Sequence, residues 1–306
     1  MKHLISLGVA LIALVCLFAA LQPNFLTASN SVNVLEQITI NSLLAFGMTF
    51  VILTGGIDLS VGSVVAFAGM TSVFFAAETG SFSVGVAAGI AAALGIGALN
   101  GGLVAFARLP PFIVTLGTMS IARGLAYVYT WENWGEPLYI DESQELFRSL
   151  ANYQVVFLLV FFVTALVLLH FTRFGHYTYA VGGNREAARF TGISVRRTEF
   201  SVYLLTGGLA GAAGVLNASL LWSADPSAGH MYELNAIAAV VVGGTSFTGG
   251  VGNLVGTLIG AVLLGVLSNG LNLLNVHFST QYMVKGMVII LAVLLDALRR
   301  RGRGND

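Results

Sequence analysis

Charge is scarce in this chain. Only 9% of the residues are Asp, Glu, Lys or Arg, against roughly 25% in ordinary soluble domains. Apolar residues make up 56% and the net charge is zero. That balance excludes a soluble domain, and it excludes the broad basic field that nucleic acid requires. Lysine is rarer still, with Lys2 and Lys285 the two in the sequence. Neither closes a G-x-x-x-x-G-K-[ST] loop, so the chain lacks that cradle for ATP. H-E-x-x-H, Cys/His clusters and G-x-S-x-G elbows are also missing from the sequence. The single cysteine, Cys16, has no internal disulfide partner. No second carboxylate lies near Asp58 in the sequence, as an intramembrane aspartic protease would need. Together these absences argue against an enzyme.

What the chain has is apolar length. Ten runs are long enough to be membrane spans: 4–21, 34–53, 60–77, 83–107, 112–130, 153–170, 199–221, 232–248, 253–275 and 281–298. The first could be a signal peptide, but its run is near full span length and Phe18-Ala19-Ala20 is a poor cleavage site. It reads as an uncleaved span. The expected fold is therefore an all-α polytopic membrane protein, a single transmembrane domain over 1–306 with about ten helices.

The cations orient it. With Lys2 inside and the spans alternating, the inner side receives Lys2, Arg108, Arg173, Arg185, Arg189, Arg196, Arg197, Arg299, Arg300, Arg301 and Arg303. The outer side receives Arg148, while Arg123 and Lys285 fall within spans. This is the positive-inside pattern, and it puts both termini in the cytoplasm. Spans 2–5 and 7–10 would then run in opposite directions, which allows an inverted repeat.

Two loops stand out. The outer loop 131–152 is acidic, with Glu132, Glu136, Asp141, Glu142 and Glu145 against one arginine. It fits either a dock for a soluble partner or a plain solvated loop. The inner loop 171–198 is basic. Within it Gly182-Gly183 should break the chain, Asn184 should cap a short helix over "REAARF", and Gly192 should stop it. Such a helix could dock a partner or lie on anionic headgroups.

Polar residues recur inside the spans, where lipid exposure is costly: Asn41, Thr49, Asn100, Arg123, Asn217, Asn269, Asn272 and Lys285. Arg123 is deep enough to need a partner, for which Glu36 and Glu233 are the candidates. Two glycine-dense connectors, "LTGGIDLSVGS" and "VGGTSFTGGVGN", join spans on the inner side. Irregular backbone at membrane depth needs protein or a wet cavity around it. Asp58 in the first connector is open to several roles, of which capping is the most concrete: Asp58 or Ser60 would accept from the free N–H groups that start the third span. Candidates for a solute path or its connectors are Asn41, Thr49, Asp58, Ser60, Asn100, Thr245, Ser246, Asn269 and Asn272.

Three blocks then carry a resemblance: "GMTFVILTGGIDLSVGSVVAFAG", "YAVGGNREAARFTGIS" and "ELNAIAAVVVGGTSFTGGVGNLVGTLIGAVLLGVLSNGLNLLNV". In these the chain resembles the membrane permease subunits of bacterial ATP-binding-cassette sugar importers, with ribose-specific members nearest in pattern. The likeness runs from about Pro23 to Asp296. It implies a second permease chain, most simply a homodimer, a cytosolic ATPase that holds ATP and magnesium, and a periplasmic or lipid-anchored sugar-binding protein. This chain would hold no cofactor, and it would sit in the bacterial inner membrane. The resemblance also assigns Gly182, Gly183, Asn184, Ala187, Ala188 and Gly192 to a coupling helix that fits a groove on the ATPase, with the small alanines permitting close packing. A neutral sugar suits a path of Asn, Ser and Thr better than one of carboxylates. The alternative is an ion-coupled secondary transporter or channel, which would use intramembrane carboxylates and work alone.

Overall fold

A computed structural model describes residues 2–131, 135–141 and 144–303. Its helices are α1 (Lys2–Leu21), α2 (Ala28–Leu53), α3 (Val61–Thr79), α4 (Phe82–Ala105), α5 (Pro111–Val128), α6 (Glu145–Ser149), α7 (Gln154–Phe171), α8 (Arg173–Gly183), α9 (Arg185–Phe190), α10 (Val195–Leu221), α11 (Tyr232–Val242), α12 (Leu254–Leu273) and α13 (Phe278–Arg303). Local sequence sets several starts. The Thr27 hydroxyl accepts from the Asn30 N–H at 3.3 Å, and the Asn253 carboxamide from the Val255 N–H at 2.7 Å. Pro111 opens α5, where its missing N–H costs nothing.

Among the described residues, eight helices are long and apolar enough to cross a membrane: α1 to α5, α7 with the turns that lead into it, α10 and α12. The chain is thus a helical, multi-pass membrane protein. Two expected spans are not among the eight: 281–298 falls in α13, whose apolar stretch is the shorter Phe278–Leu291, and 232–248 differs in its helix as well. Its helix α11 has 11 residues, about 16 Å of rise against a hydrocarbon thickness of about 30 Å. Gly243 and Gly244 follow it, Gly244 at φ +93. Before it, 222–231 is irregular, with Trp222, Gly229 and Met231 all left-handed. This segment also carries β2 (Ser223–Ala224), which pairs antiparallel with β1 (Leu138–Tyr139).

The long helices α2 and α10 form the centre. α10 packs along α4, α3 and α2, and α2 packs along α10, α12 and α11. α3 lies on α4 and α5, just as α11 lies on α12 and α13. Small residues let backbones approach, the usual device where lipid removes the hydrophobic drive between helices. A Cβ on Gly97 would stand 3.1 Å from the Gly207 Cα, and one on Gly214 would stand 2.5 Å from the Val65 carbonyl.

These contacts fix where the connector 54–60 lies. Gly56 abuts Tyr203 and Val65 abuts Gly214, so α3 starts between those two levels of α10. Tyr203 is eight residues into α10, about 12 Å along its axis. The part of the connector with Gly56, Asp58 and Ser60, all buried, is therefore inside the bundle. One end of the bundle bears α8, α9 and a cluster of Arg108, Arg185, Arg189 and Arg196. The opposite end bears the β1–β2 pair and α6. There Phe147 is fully buried, its carbonyl accepts from the Ser219 hydroxyl at 2.8 Å, and the Arg148 guanidinium lies 4.7 Å from the centre of the Trp222 ring. Glu132 and Glu142 of the acidic loop fall outside the described residues.

Candidate functional site

Asp58 is 2% exposed. Its Oδ1 accepts from the Ser60 N–H at 2.9 Å and from the Ser60 hydroxyl at 2.6 Å. The Asn100 carboxamide of α4 donates to Ser60 Oγ at 2.9 Å, and the Thr118 hydroxyl of α5 donates to Asn100 Oδ1 at 2.6 Å. Thr115, one turn earlier on α5, donates to the Ile57 carbonyl at 3.3 Å. The donors of Thr118, Asn100 and Ser60 thus run in one direction, toward the Asp58 carboxylate. The capping expectation is not met, since neither side chain accepts from an N–H of α3. Asp58 holds the N–H of Ser60, immediately before α3, but Ser60 makes no side-chain cap of its own because its hydroxyl is turned to Asp58.

At the basic end, three segments meet on the Leu53 carbonyl, which accepts from the Gly250 N–H at 2.9 Å. A Cβ on Gly182 would overlap that carbonyl, and Gly249 and Gly250 hold φ of +81 and +72. Only glycine fits such a junction. The Tyr179 hydroxyl adds a bond to the Gly252 carbonyl at 2.8 Å. Burial raises its pKa, so it remains a donor at neutral pH. Thus α8 clasps the ends of both glycine-rich connectors. Gly182 and Gly183 do not break the chain as expected: they are the last residues of α8, where the close approach to Leu53 requires Gly182. The break falls at Asn184, which is extended at φ −159.

Asn184 Oδ1 accepts from the Ala187 N–H at 2.9 Å and starts α9, and Gly192 at φ +83 ends it. Arg185 pairs with Glu199 of α10 at 2.9 Å and ties the short helix back to the bundle. The two alanines point in different directions. Ala188 is buried with Val181 and Val195, so it cannot face a partner, whereas Ala187 is exposed. Beside Ala187, Phe190 is 89% exposed. Beneath α9 a cavity of about 810 Å³ runs inward between Arg108, Arg189 and Arg196 to Gly56 and Tyr203. The Tyr203 hydroxyl has no hydrogen-bond partner, and Tyr203 is 1% exposed. It lies between the cavity and the Asp58 turn.

With this geometry in place, similarity to known proteins is informative. A family model described as "Branched-chain amino acid transport system / permease component" matches residues 30–293. The chain belongs to this family. It is 46% identical over 297 residues to the ribose import permease protein RbsC of Escherichia coli strain K12, covering 94% of this chain and 92% of that one. Against RbsC of Bacillus subtilis strain 168 the identity is 46% over 298 residues, covering 94% and 90%. Against the D-allose transport system permease protein AlsC of Escherichia coli strain K12 it is 38% over 290 residues, covering 93% and 89%. No solved structure matches the chain.

The polar candidates of the permease do not form one site. Asp58, Ser60 and Asn100 come together inside the bundle. Thr49 lies on the seam of α2 with α12, 2.9 Å from the Thr257 hydroxyl. Asn41, on the same helix, donates to its own Gln37 carbonyl at 3.3 Å. Thr245 and Ser246 sit in the connector at the basic end, where the Ser246 N–H donates to the Val251 carbonyl. Asn269 forms a reciprocal amide pair with Asn30, at 2.9 and 2.8 Å, and Asn272 accepts from Gln281 at 2.7 Å. With both amides of the Asn269 pair satisfied, it is a clasp between helices. Arg123 is bound by neither Glu36 nor Glu233. Its guanidinium donates to the Pro226 and Ala228 carbonyls, both at 2.6 Å. Among the described residues, no group of three His, Cys, Asp or Glu is placed to hold a metal ion.

Proposed function

We propose that this permease is the membrane subunit of an ATP-driven importer for a monosaccharide, with ribose as its solute. The observation that carries the reading is 46% identity over almost the whole chain to ribose import permeases of two bacteria. The basic end faces the cytoplasm, in keeping with the positive-inside rule. Both termini lie on that side, and the chain makes ten crossings, with α11 completing a crossing that the irregular segment 222–231 begins. The protein is a multi-pass component of the bacterial inner membrane.

The chain has no loop of its own for ATP, so the motor is a separate cytosolic subunit that holds ATP and magnesium. It docks on α9 through Ala187 and Phe190, the two exposed apolar side chains there. Movement of α9 passes to α8, and from the Gly182 junction to the ends of α2 and of the 249–252 connector. A second copy of the permease completes the membrane unit. The folded cap at 135–141 and 144–153 meets a sugar-binding protein outside. Transport is by alternating access, and the sugar is bound weakly because selectivity resides in the binding protein.

Affinity isolation of the tagged permease in mild detergent tests this. Recovery of a P-loop ATPase is expected, lost in an Ala187→Glu, Phe190→Ala variant that retains its unfolding midpoint. A permease that arrives alone and carries ribose down an ion gradient without ATP would instead be a secondary transporter.

A further inference from the structure

Two five-residue stretches share one pattern: Asp58-Leu59-Ser60-Val61-Gly62 and Asp225-Pro226-Ser227-Ala228-Gly229, both Asp-x-Ser-x-Gly. They occupy matching places. Each follows a long central helix, α2 or α10, and enters the helix that packs against the other long helix, α3 against α10 and α11 against α2. The Asp–Ser hydrogen bonds within them are the same. Asp58 Oδ1 accepts from the Ser60 N–H and hydroxyl, and Asp225 Oδ1 accepts from the Ser227 N–H and hydroxyl, both at 2.7 Å.

The two turns touch. A Cβ on Gly62 would overlap the Gly229 carbonyl, and a Cβ on Gly229 would overlap the Gly62 carbonyl. The Glu233 carboxylate also lies against Gly62. One helix holds both turns: α5 reaches the first through the Thr115 bond to the Ile57 carbonyl and, by way of Asn100, through Thr118, and the second through Arg123. In exposure the turns differ. Asp58 and Ser60 are sealed, at 2% and 1%, while Asp225 is half-buried and Ser227 exposed.

We propose that these turns are a matched pair of gates on the transport path, the Asp225 turn open and the Asp58 turn sealed in this structure, with the roles exchanged in the other access state. The inference rests on the alternating-access reading above. Two halves built alike can each take the other's conformation, so the two end states keep equivalent contacts and differ little in free energy. Gly62 and Gly229 are the crossing point. Their missing side chains let one backbone pass the other, and α5 carries a displacement at either turn to its counterpart. The cavity at the basic end stops at Gly56 and Tyr203, immediately before the sealed turn. Opening that turn would join the cavity to the crossing point.

Thiol accessibility tests the exchange. Cys16 is the only native cysteine and is exposed, so Cys16→Ala provides the background. Ser60→Cys and Ser227→Cys are placed in it singly, with Val61→Cys and Ala228→Cys as a second matched pair should a serine variant fail to fold. Each is assembled with the ATPase and binding protein in nanodiscs. Alkylation by a small charged maleimide is timed without nucleotide and with ATP and vanadate. Reciprocal changes of about tenfold or more are expected, one turn gaining reactivity as the other loses it. Changes in the same direction, or none, in complexes that still hydrolyse ATP would overturn the gate pairing alone. A chain that assembles with no ATPase would overturn the transport reading, and the gates with it.

Discussion

Replacing Asn100 by leucine keeps roughly the volume of the side chain and removes two of the three links between Thr118 and Asp58. The Thr118 hydroxyl loses its 2.6 Å acceptor and keeps only the Thr115 carbonyl at 3.3 Å, while Ser60 Oγ loses its 2.9 Å donor. Hydrogen bonds between membrane helices contribute about 0.6 kcal/mol on average and up to about 1.7. Asn100 is fully buried, so water cannot replace what is lost. The sum over these two bonds is a destabilisation of about 1–3 kcal/mol for Asn100→Leu. Thr118→Val breaks a single bond and leaves Ser60 and Asp58 untouched, so about 1 kcal/mol is expected. Equilibrium unfolding in mixed micelles reads both. The reasoning fails if Asn100→Leu matches the parent chain, or if Thr118→Val is the more damaging of the two.

Other substitutions probe other parts of the molecule. Asn184→Ala removes the cap of α9 and costs about 1 kcal/mol of local stability; hydrogen exchange at 185–190 should quicken about fivefold, with α10 unchanged. Gly182→Ala puts a methyl group into the Leu53 carbonyl, for a loss of about 1–3 kcal/mol. Gly183→Ala, which has open space around it, should be neutral or mildly stabilising, and equal midpoints for the two variants would contradict the junction. A double-mutant cycle on Asn30→Ala and Asn269→Ala should give a coupling energy of about 0.5–2 kcal/mol. Simple additivity would mean the amide pair holds nothing together.

Most of the helices were legible because length and apolarity suffice to mark a buried run. The short helix α9 was legible as well, since Asn184 and Gly192 act locally and carry recognisable residue types. Two expected spans, 232–248 and 281–298, are not among the eight; the first has the composition of a crossing but the length of a half helix. Its limits are set by Gly243-Gly244 and by a left-handed Trp222 and Met231 that nothing local announces. Arg123 found backbone carbonyls, which have no signature in a sequence, and Asn269 found Asn30, 239 positions away. Ala188 turned inward on a helix of six residues, too short for periodicity to reveal its buried face. The Asp-x-Ser-x-Gly pair was written plainly in the chain. Glycine density instead drew attention to 53–63 and 242–253, connectors that meet at Leu53 and Gly250 but belong to different places in the two halves.

Uptake of labelled ribose tests the central claim most directly, with the permease reconstituted into liposomes beside its ATPase and supplied with the sugar-binding protein. The account predicts accumulation that needs ATP and the binding protein together and is displaced by unlabelled ribose before arabinose or allose. Accumulation that persists without ATP, or a system that drives another class of solute and leaves ribose outside, would contradict it.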